Sequence, residues 1–128
     1  MKTLVVDDSR LARSAVIKTL NKELGNENEI YQAENGEVAL SLYKKENPDI
    51  VFLDLTMPVM DGFEALKKIR AHDEKALIVV VSADVQEHAV SQVMSDGAIM
   101  HVQKPINETK MKEIFKTVKF LLKAGSHG

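Results

Sequence analysis

The sequence predicts an α/β domain, a doubly wound five-stranded parallel sheet with five helices on its two faces, and three observations lead there. Ile50-Val51-Phe52-Leu53 and Leu77-Ile78-Val79-Val80-Val81 are apolar throughout, with no alternating polar face, so both sides of each strand must be covered. Strand patterns alternate with helical patterns five times along the chain. The connections between them are short, and right-handed crossovers satisfy them.

Each element has its own signal. Leu4-Val5-Val6 is a short strand that ends in Asp7-Asp8-Ser9. Ala12, Val16, Leu20 and Leu24 then recur every four residues, with Leu11 and Ala15 beside them, which is a helix capped by Ser9 or Asp8 and stopped by Gly25. Ile30-Tyr31-Gln32-Ala33 is a weaker strand before the turn Glu34-Asn35-Gly36. A second helix follows to Glu46, with Val38, Ala39, Leu42 and Tyr43 as its apolar set, and Asn47-Pro48 ends it. The central strand runs into Asp54 and the loop Leu55 to Gly62, where Pro58 bars Met57 from the helical region. Gly62 opens a third helix with Phe63, Leu66 and Ile69 inward and Lys67, Lys68 and Arg70 outward. The fourth strand ends at Ser82-Ala83. A helix from about Val85 carries Val90, Val93 and Met94 and stops at Asp96-Gly97. Ile99-Met100-His101-Val102 is the last strand, closed by Gln103-Lys104-Pro105. The final helix spans about 108–123, with Met111, Ile114, Phe115, Val118 and Leu122 on one stripe. One domain over 1–123 is expected, with 124–128 as a flexible tail.

Composition excludes several classes of function. A net charge of -2 argues against nucleic acid as the main partner, because phosphate-backbone binding needs a basic surplus. The lysines of the final helix (Lys110, Lys112, Lys116, Lys119, Lys123) are accordingly a solvated face. Without cysteine there is neither a disulfide framework nor a thiolate zinc site. No apolar stretch reaches membrane-spanning length, and Met1-Lys2-Thr3 leads straight into a strand, so a cytoplasmic chain without a leader is expected.

The chemistry lies at the strand ends. Asp7 and Asp8 end the first strand, Asp54 the third, Ser82 the fourth and Lys104 the fifth. A parallel sheet brings all of these to one edge, where ligands of open α/β sheets bind. Three carboxylates crowded there repel each other, and a hard divalent cation relieves them. Magnesium fits better than calcium, since it keeps several waters and binds one or two carboxylates plus phosphate oxygens. Lys104 and Ser82 each suit a phosphoryl oxygen, and a carboxylate nucleophile gives an acyl phosphate. Singly, each feature has a plain structural reading: an Asp-Asp pair caps a helix, Lys-Pro makes a turn, a strand-end Ser is structural. Four such features on four different strands outweigh those readings.

The ordered set of motifs resembles a known family, the response-regulator receiver domain of two-component signalling, from Leu4 to about Leu122. Val5-Val6-Asp7-Asp8-Ser9 resembles its acidic pair, and Asp54-Leu55-Thr56-Met57-Pro58-Val59-Met60-Asp61-Gly62 its phosphoacceptor loop. Ser82-Ala83, Gly97-Ala98 and Lys104-Pro105 complete the set. The resemblance implies a flavodoxin-like (βα)5 receiver fold with Asp54 as phosphoacceptor. It implies Mg2+ held by Asp8 directly, Asp7 mainly through water, Asp54, and the Thr56 backbone carbonyl. Lys104 and Ser82, with Ala83 beside it, would bind the phosphoryl oxygens, and the Lys104–Pro105 bond would be cis. A sensor histidine kinase or a histidine phosphotransfer protein would be the donor. A downstream protein, bound on the face of the fourth helix, fifth strand and fifth helix, would be the target, and a phosphatase a further partner. The chain would be a partner-binding switch of the chemotaxis or phosphorelay kind, not a turnover enzyme. Thr56 and Asp84 would set the lifetime of the phosphorylated state.

Two positions depart from the family pattern. His101 stands where the switch aromatic is usual, and Ile106 where an aromatic commonly follows Lys-Pro. His101 is therefore either the switch residue or a plain strand histidine. Two competing readings are a haloacid-dehalogenase-type phosphatase and a receiver that binds partners without phosphorylation. The first needs a second Asp two residues after the nucleophile, where this chain has Thr56, and late paired acids, where Asp7-Asp8 come early. The intact acidic set argues against the second.

Overall fold

The structure is a computed structural model that describes residues 1–25, 28–83 and 86–125. Among the described residues, ten elements alternate: β1 Lys2–Val6, α1 Arg10–Leu24, β2 Glu29–Ala33, α2 Gly36–Glu46, β3 Ile50–Leu53, α3 Gly62–His72, β4 Ile78–Ser82, α4 Glu87–Ser95, β5 Met100–Gln103 and α5 Glu108–Gly125. All strand pairs are parallel, in the order β2-β1-β3-β4-β5. The chain winds outward from β1 to β2 and then back past β1 to β3. The crevice at that reversal lies between the carboxyl ends of β1 and β3, where Asp7 and Asp54 emerge.

The pleat divides the core in two. Leu4, Val6, Val51, Leu53, Ile78 and Val80 face a cluster that includes Ala39, Tyr43, Leu66 and Ile69 from α2 and α3. Val5, Phe52, Val79 and Val81 face Val16, Leu20, Met111, Ile114 and Phe115 from α1 and α5. β3 and β4 are buried at every residue, as runs without a polar face require. Phe52 and Phe115 pack with ring centroids 6.5 Å apart across the second layer, and truncating Phe115 would cost about 3–5 kcal/mol.

Local chemistry sets the boundaries. The Ser9 side chain accepts from the Ala12 N–H at 3.2 Å, so Ser9 caps α1 and the exposed Asp8 side chain is left to the sheet edge. Asn47 ends α2 in a left-handed conformation, φ 47°, just before Pro48. Asp61 caps α3 through the Glu64 N–H at 3.0 Å. A Cβ on Gly62 would run into the Asp54 carbonyl oxygen, so only glycine lets α3 start so close beneath β3.

Several helix positions differ from expectation. Leu11 is 84% exposed and Ala15 also faces solvent, so the buried residues of α1 are Val16 and Leu20. Leu11 lies in the first turn of α1. Val38 and Met94 are likewise exposed, and Ala89 takes the core position in α4 that the sequence reading gave to Met94. α4 is Glu87–Ser95, and Val85, near which its start was expected, lies outside the described residues, as does Asp84. Arg70 does not point to solvent. Its guanidinium donates to the backbone carbonyls of Asp73, Glu74, Ala76 and Gly97. α5 continues to Gly125, past the expected edge at Lys123, and residues 126–128 are outside the described ones.

Candidate functional site

Backbone hydrogen bonds set the two central carboxylates. The Asp7 N–H donates to the Ala33 carbonyl of β2 at 3.1 Å, and the Asp54 N–H to the Val6 carbonyl of β1 at 2.9 Å. Each aspartate is thus the first residue past its strand, still held by a neighbouring strand. Asp7 and Asp54 are 5% and 7% exposed, while Asp8 is open to solvent. One oxygen from each of Asp7, Asp8 and Asp54 lies within 4.8 Å of the others. That all-oxygen set, with one open side for water, fits a hard divalent cation.

Lys104 reaches this cluster from β5. Its backbone N–H donates to the Ser82 carbonyl of β4 at 2.9 Å, and the Lys104–Pro105 peptide bond is cis. Its ammonium donates to Asp7 Oδ2 at 2.7 Å and lies 3.2 Å from Asp54 Oδ1. Burial opposes the charge on Lys104, but its hydrogen bond to Asp7 and the charges of Asp54 and Asp7 outweigh it and raise its pKa. Burial also raises the Asp54 pKa above the ordinary carboxylate value, and the charge of Asp7 adds to it. Lys104 and the Leu55 N–H pull the other way without cancelling the rise. Asp54 is therefore a carboxylate whose negative charge its surroundings only partly compensate.

The other positions singled out in the sequence surround this centre. Ser82 is buried at the end of β4, in register with Gln103, and Ala83 follows it exposed. His101 is half-buried in the edge strand β5, in register with Val80, three residues before Lys104. Thr56 lies exposed two residues after Asp54. Pro105 is exposed, and Ile106 is partly buried against the α1/α5 core layer.

Two contacts were not foreseen. The Ser9 N–H donates to Asp7 Oδ1 at 2.9 Å, so the N-cap residue of α1 also orients the carboxylate. Arg13 donates through Nη1 to the Asp7 carbonyl at 2.6 Å and through Nε to Gln32 Oε1 at 2.9 Å. It ties α1, β2 and the Asp7 turn together. The available signal was a basic residue one helical turn past an N-cap beside two acids.

The family profile of the response regulator receiver domain matches residues 3–116. This chain belongs to the response-regulator receiver family. The CheY chemotaxis protein of Listeria monocytogenes is 39% identical to this receiver over 88% of the chain and 93% of its own length. Sporulation initiation phosphotransferase F of Bacillus subtilis is 33% identical over 90% of both chains. Among solved structures, the CheX–CheY–BeF3–Mg complex from Borrelia burgdorferi matches with a TM-score of 0.84 at 32% identity, covering 92% of this chain and 88% of that one. Matched to these relatives, the acidic pocket of Asp7, Asp8 and Asp54 is of the kind typical of phosphorylated receivers. Among the described residues, no helix is long and apolar enough to cross a membrane.

Proposed function

We propose that this receiver accepts a phosphoryl group on Asp54 from a phosphohistidine and binds a different partner as a result. The observation that carries the reading is the Lys104 ammonium lying 2.7 Å from Asp7 and 3.2 Å from Asp54. A cation there faces the nucleophile and the space in front of it. In the transfer, an Asp54 oxygen attacks phosphorus. The P–N bond breaks as the O–P bond forms, and the electron pair goes to the imidazole, which takes up a proton. Lys104 then pairs with a phosphoryl oxygen, and Ser82 donates to another. Asp7, Asp8, Asp54 and the Thr56 carbonyl are the groups that would hold magnesium. When bound, magnesium neutralises charge that builds up on the phosphoryl oxygens.

The product is a state, not a released compound, so the receiver is a switch and not a turnover enzyme. His101, half-buried beside β4, is the position that would follow a movement of Ser82. The face of α4, β5 and α5 would present the change to a downstream protein in the cytoplasm. Donors are a sensor histidine kinase or a histidine phosphotransfer protein, and a phosphatase would reset the switch. The mutual near-full-length match with a chemotaxis protein and a sporulation phosphotransferase supports signalling by partner binding.

Incubation with acetyl phosphate and magnesium, followed by intact mass, tests the reading. One labile phosphoryl group per chain is expected. Continuous hydrolysis of the donor without a labelled chain would instead indicate a phosphatase. Absence of both would leave a phosphorylation-independent adaptor.

A further inference from the structure

Lys110 stands apart from the other lysines of α5. Lys112, Lys116, Lys119 and Lys123 are exposed, as the sequence predicts, whereas Lys110 is half-buried. Its ammonium donates to the backbone carbonyls of Gln103, at 2.7 Å, and of Pro105, at 3.0 Å. Those two residues flank Lys104, whose own ammonium serves Asp7 and Asp54.

Helix preference does not account for a lysine at this position. Lys110 is the third residue of α5, and its backbone N–H donates to Asn107 Oδ1 at 2.8 Å, so it sits in the capped first turn. A cation there opposes the helix dipole, which favours acids such as Glu108. The two carbonyls that accept from the ammonium offset that cost.

The segment that carries Lys104 has use for such a tie. β5 is an edge strand, hydrogen-bonded to β4 alone. The Lys104 N–H donates to the Ser82 carbonyl of β4 at 2.9 Å, and Pro105 has no N–H to offer. A cleft of about 340 Å³ separates Lys104, Pro105 and Ile106 from Ala12, Ala15 and Val16 of α1. Packing against α1 therefore holds the segment loosely, and Lys110 supplies the donor that an edge strand lacks. The Lys104 side chain is a flexible four-carbon stem, so its reach to two carboxylates depends on where its backbone is held. A backbone shift of about 1 Å would carry the ammonium contacts at 2.7 and 3.2 Å out of hydrogen-bond range.

We propose that Lys110 is a positioning residue for phosphoryl transfer: its grip on the Gln103 and Pro105 carbonyls fixes the backbone of Lys104 and so the place of the ammonium that faces Asp54. The proposal rests on the phosphoacceptor reading of Asp54. It separates two equilibria at the same site. Without a phosphoryl group, the Lys104 ammonium competes with a divalent cation for Asp7 and Asp54. With one, the ammonium is a partner of a phosphoryl oxygen. Loosening Lys104 therefore spares or strengthens magnesium binding and weakens the hold on a phosphoryl group, whereas general damage to the site weakens both.

Lys110→Met keeps the length of the side chain and removes its donors, while Lys110→Arg keeps donors. Magnesium affinity is measured without anion, and affinity for beryllofluoride, a phosphoryl mimic, at saturating magnesium, both from backbone chemical shifts. Lys110→Met should bind beryllofluoride about fivefold more weakly and take phosphate from acetyl phosphate about fivefold more slowly, with magnesium affinity within about twofold of the wild type or higher. Lys110→Arg should restore both losses. In a Lys104→Met background, Lys110→Met should change beryllofluoride affinity no further, because the residue it acts through is gone. Parallel weakening of magnesium and beryllofluoride would overturn the proposal and make Lys110 a plain structural tie. An undiminished effect in the Lys104→Met background would overturn it too, as would unchanged beryllofluoride affinity and labelling rate in Lys110→Met. Should the wild-type chain neither bind beryllofluoride nor take up phosphate, it is the phosphoacceptor reading itself that fails.

Discussion

Two polar clusters occupy opposite ends of the same sheet, and they resolve their charges in opposite ways. At the amino-terminal edge of the strands, the Tyr43 hydroxyl donates to Asp73 Oδ2 at 2.7 Å, and the Lys75 N–H donates to Asp73 Oδ1 at 2.9 Å. The hydrogen bond from Tyr43 leads the causes that lower the Asp73 pKa, and burial opposes it without cancelling it. Burial and the same hydrogen bond push the Tyr43 phenol well above its ordinary value. Arg70 completes the end by donating to four backbone carbonyls. At the carboxyl-terminal edge, burial and Asp7 raise the Asp54 pKa, and a single ammonium serves two buried carboxylates. One end is satisfied and the other holds unbalanced negative charge. The first pattern is what a stable fold needs. The second is what a site needs if binding a cation or a phosphoryl group is to be favourable.

Removing Arg70 should have the largest effect. Arg70→Ala leaves the Asp73, Glu74, Ala76 and Gly97 carbonyls without that donor and opens space beside Gly97, where a Cβ would lie 2.5 Å from Arg70 Nε. A loss of about 2–4 kcal/mol in urea unfolding is expected, because three of these four hydrogen bonds are part-buried and all come from one charged donor. Phosphate uptake by the folded variant should be unchanged. A loss under about 0.5 kcal/mol, the range of ordinary surface changes, would show that this end is not the stabilising one.

Asp54→Asn should have a smaller effect of opposite sign. Because the folded pKa of Asp54 is raised, its ionised form destabilises the fold. Below the ordinary carboxylate value Asp54 is protonated in both states and the variant gains nothing. As pH rises through the raised folded value, the cost of the charge is fully present, and the variant gains. At neutral pH its stability should equal or exceed that of the wild type by up to about 2 kcal/mol. Magnesium at ten times its dissociation constant should stabilise the wild type by about 1.4 kcal/mol, and the variant by clearly less. A variant less stable than the wild type at pH 7 would mean that Asp54 is a satisfied charge like Asp73.

The satisfied and the unbalanced end were not equally legible in the sequence. Asp7, Asp8, Asp54 and Lys104 each follow a strand, and parallel topology carries strand ends to one edge whatever the details of packing. The acidic site could therefore be assembled from spacing alone. β3 and β4 were legible because a run without a polar face admits only a doubly covered strand. Arg70 was not, because its acceptors lie from three to twenty-seven residues away and exist only once α3 packs beside Gly97. Leu11, Val38 and Met94 share a limitation: periodicity finds an apolar stripe but not which flank of it meets the sheet. The left-handed turn at Val59 carried no signal at all, since the residue types that announce positive φ are absent from Pro58-Val59-Met60.

The central claim, that one sheet end is relaxed and the other electrostatically unbalanced, is tested most directly by titrating Asp54 and Asp73 together. Side-chain carboxyl carbon shifts, followed by NMR against pH without magnesium, give both inflections in one sample. Asp54 should titrate above the ordinary aspartate value and Asp73 below it. Coincident inflections, or Asp73 titrating above Asp54, would contradict the account.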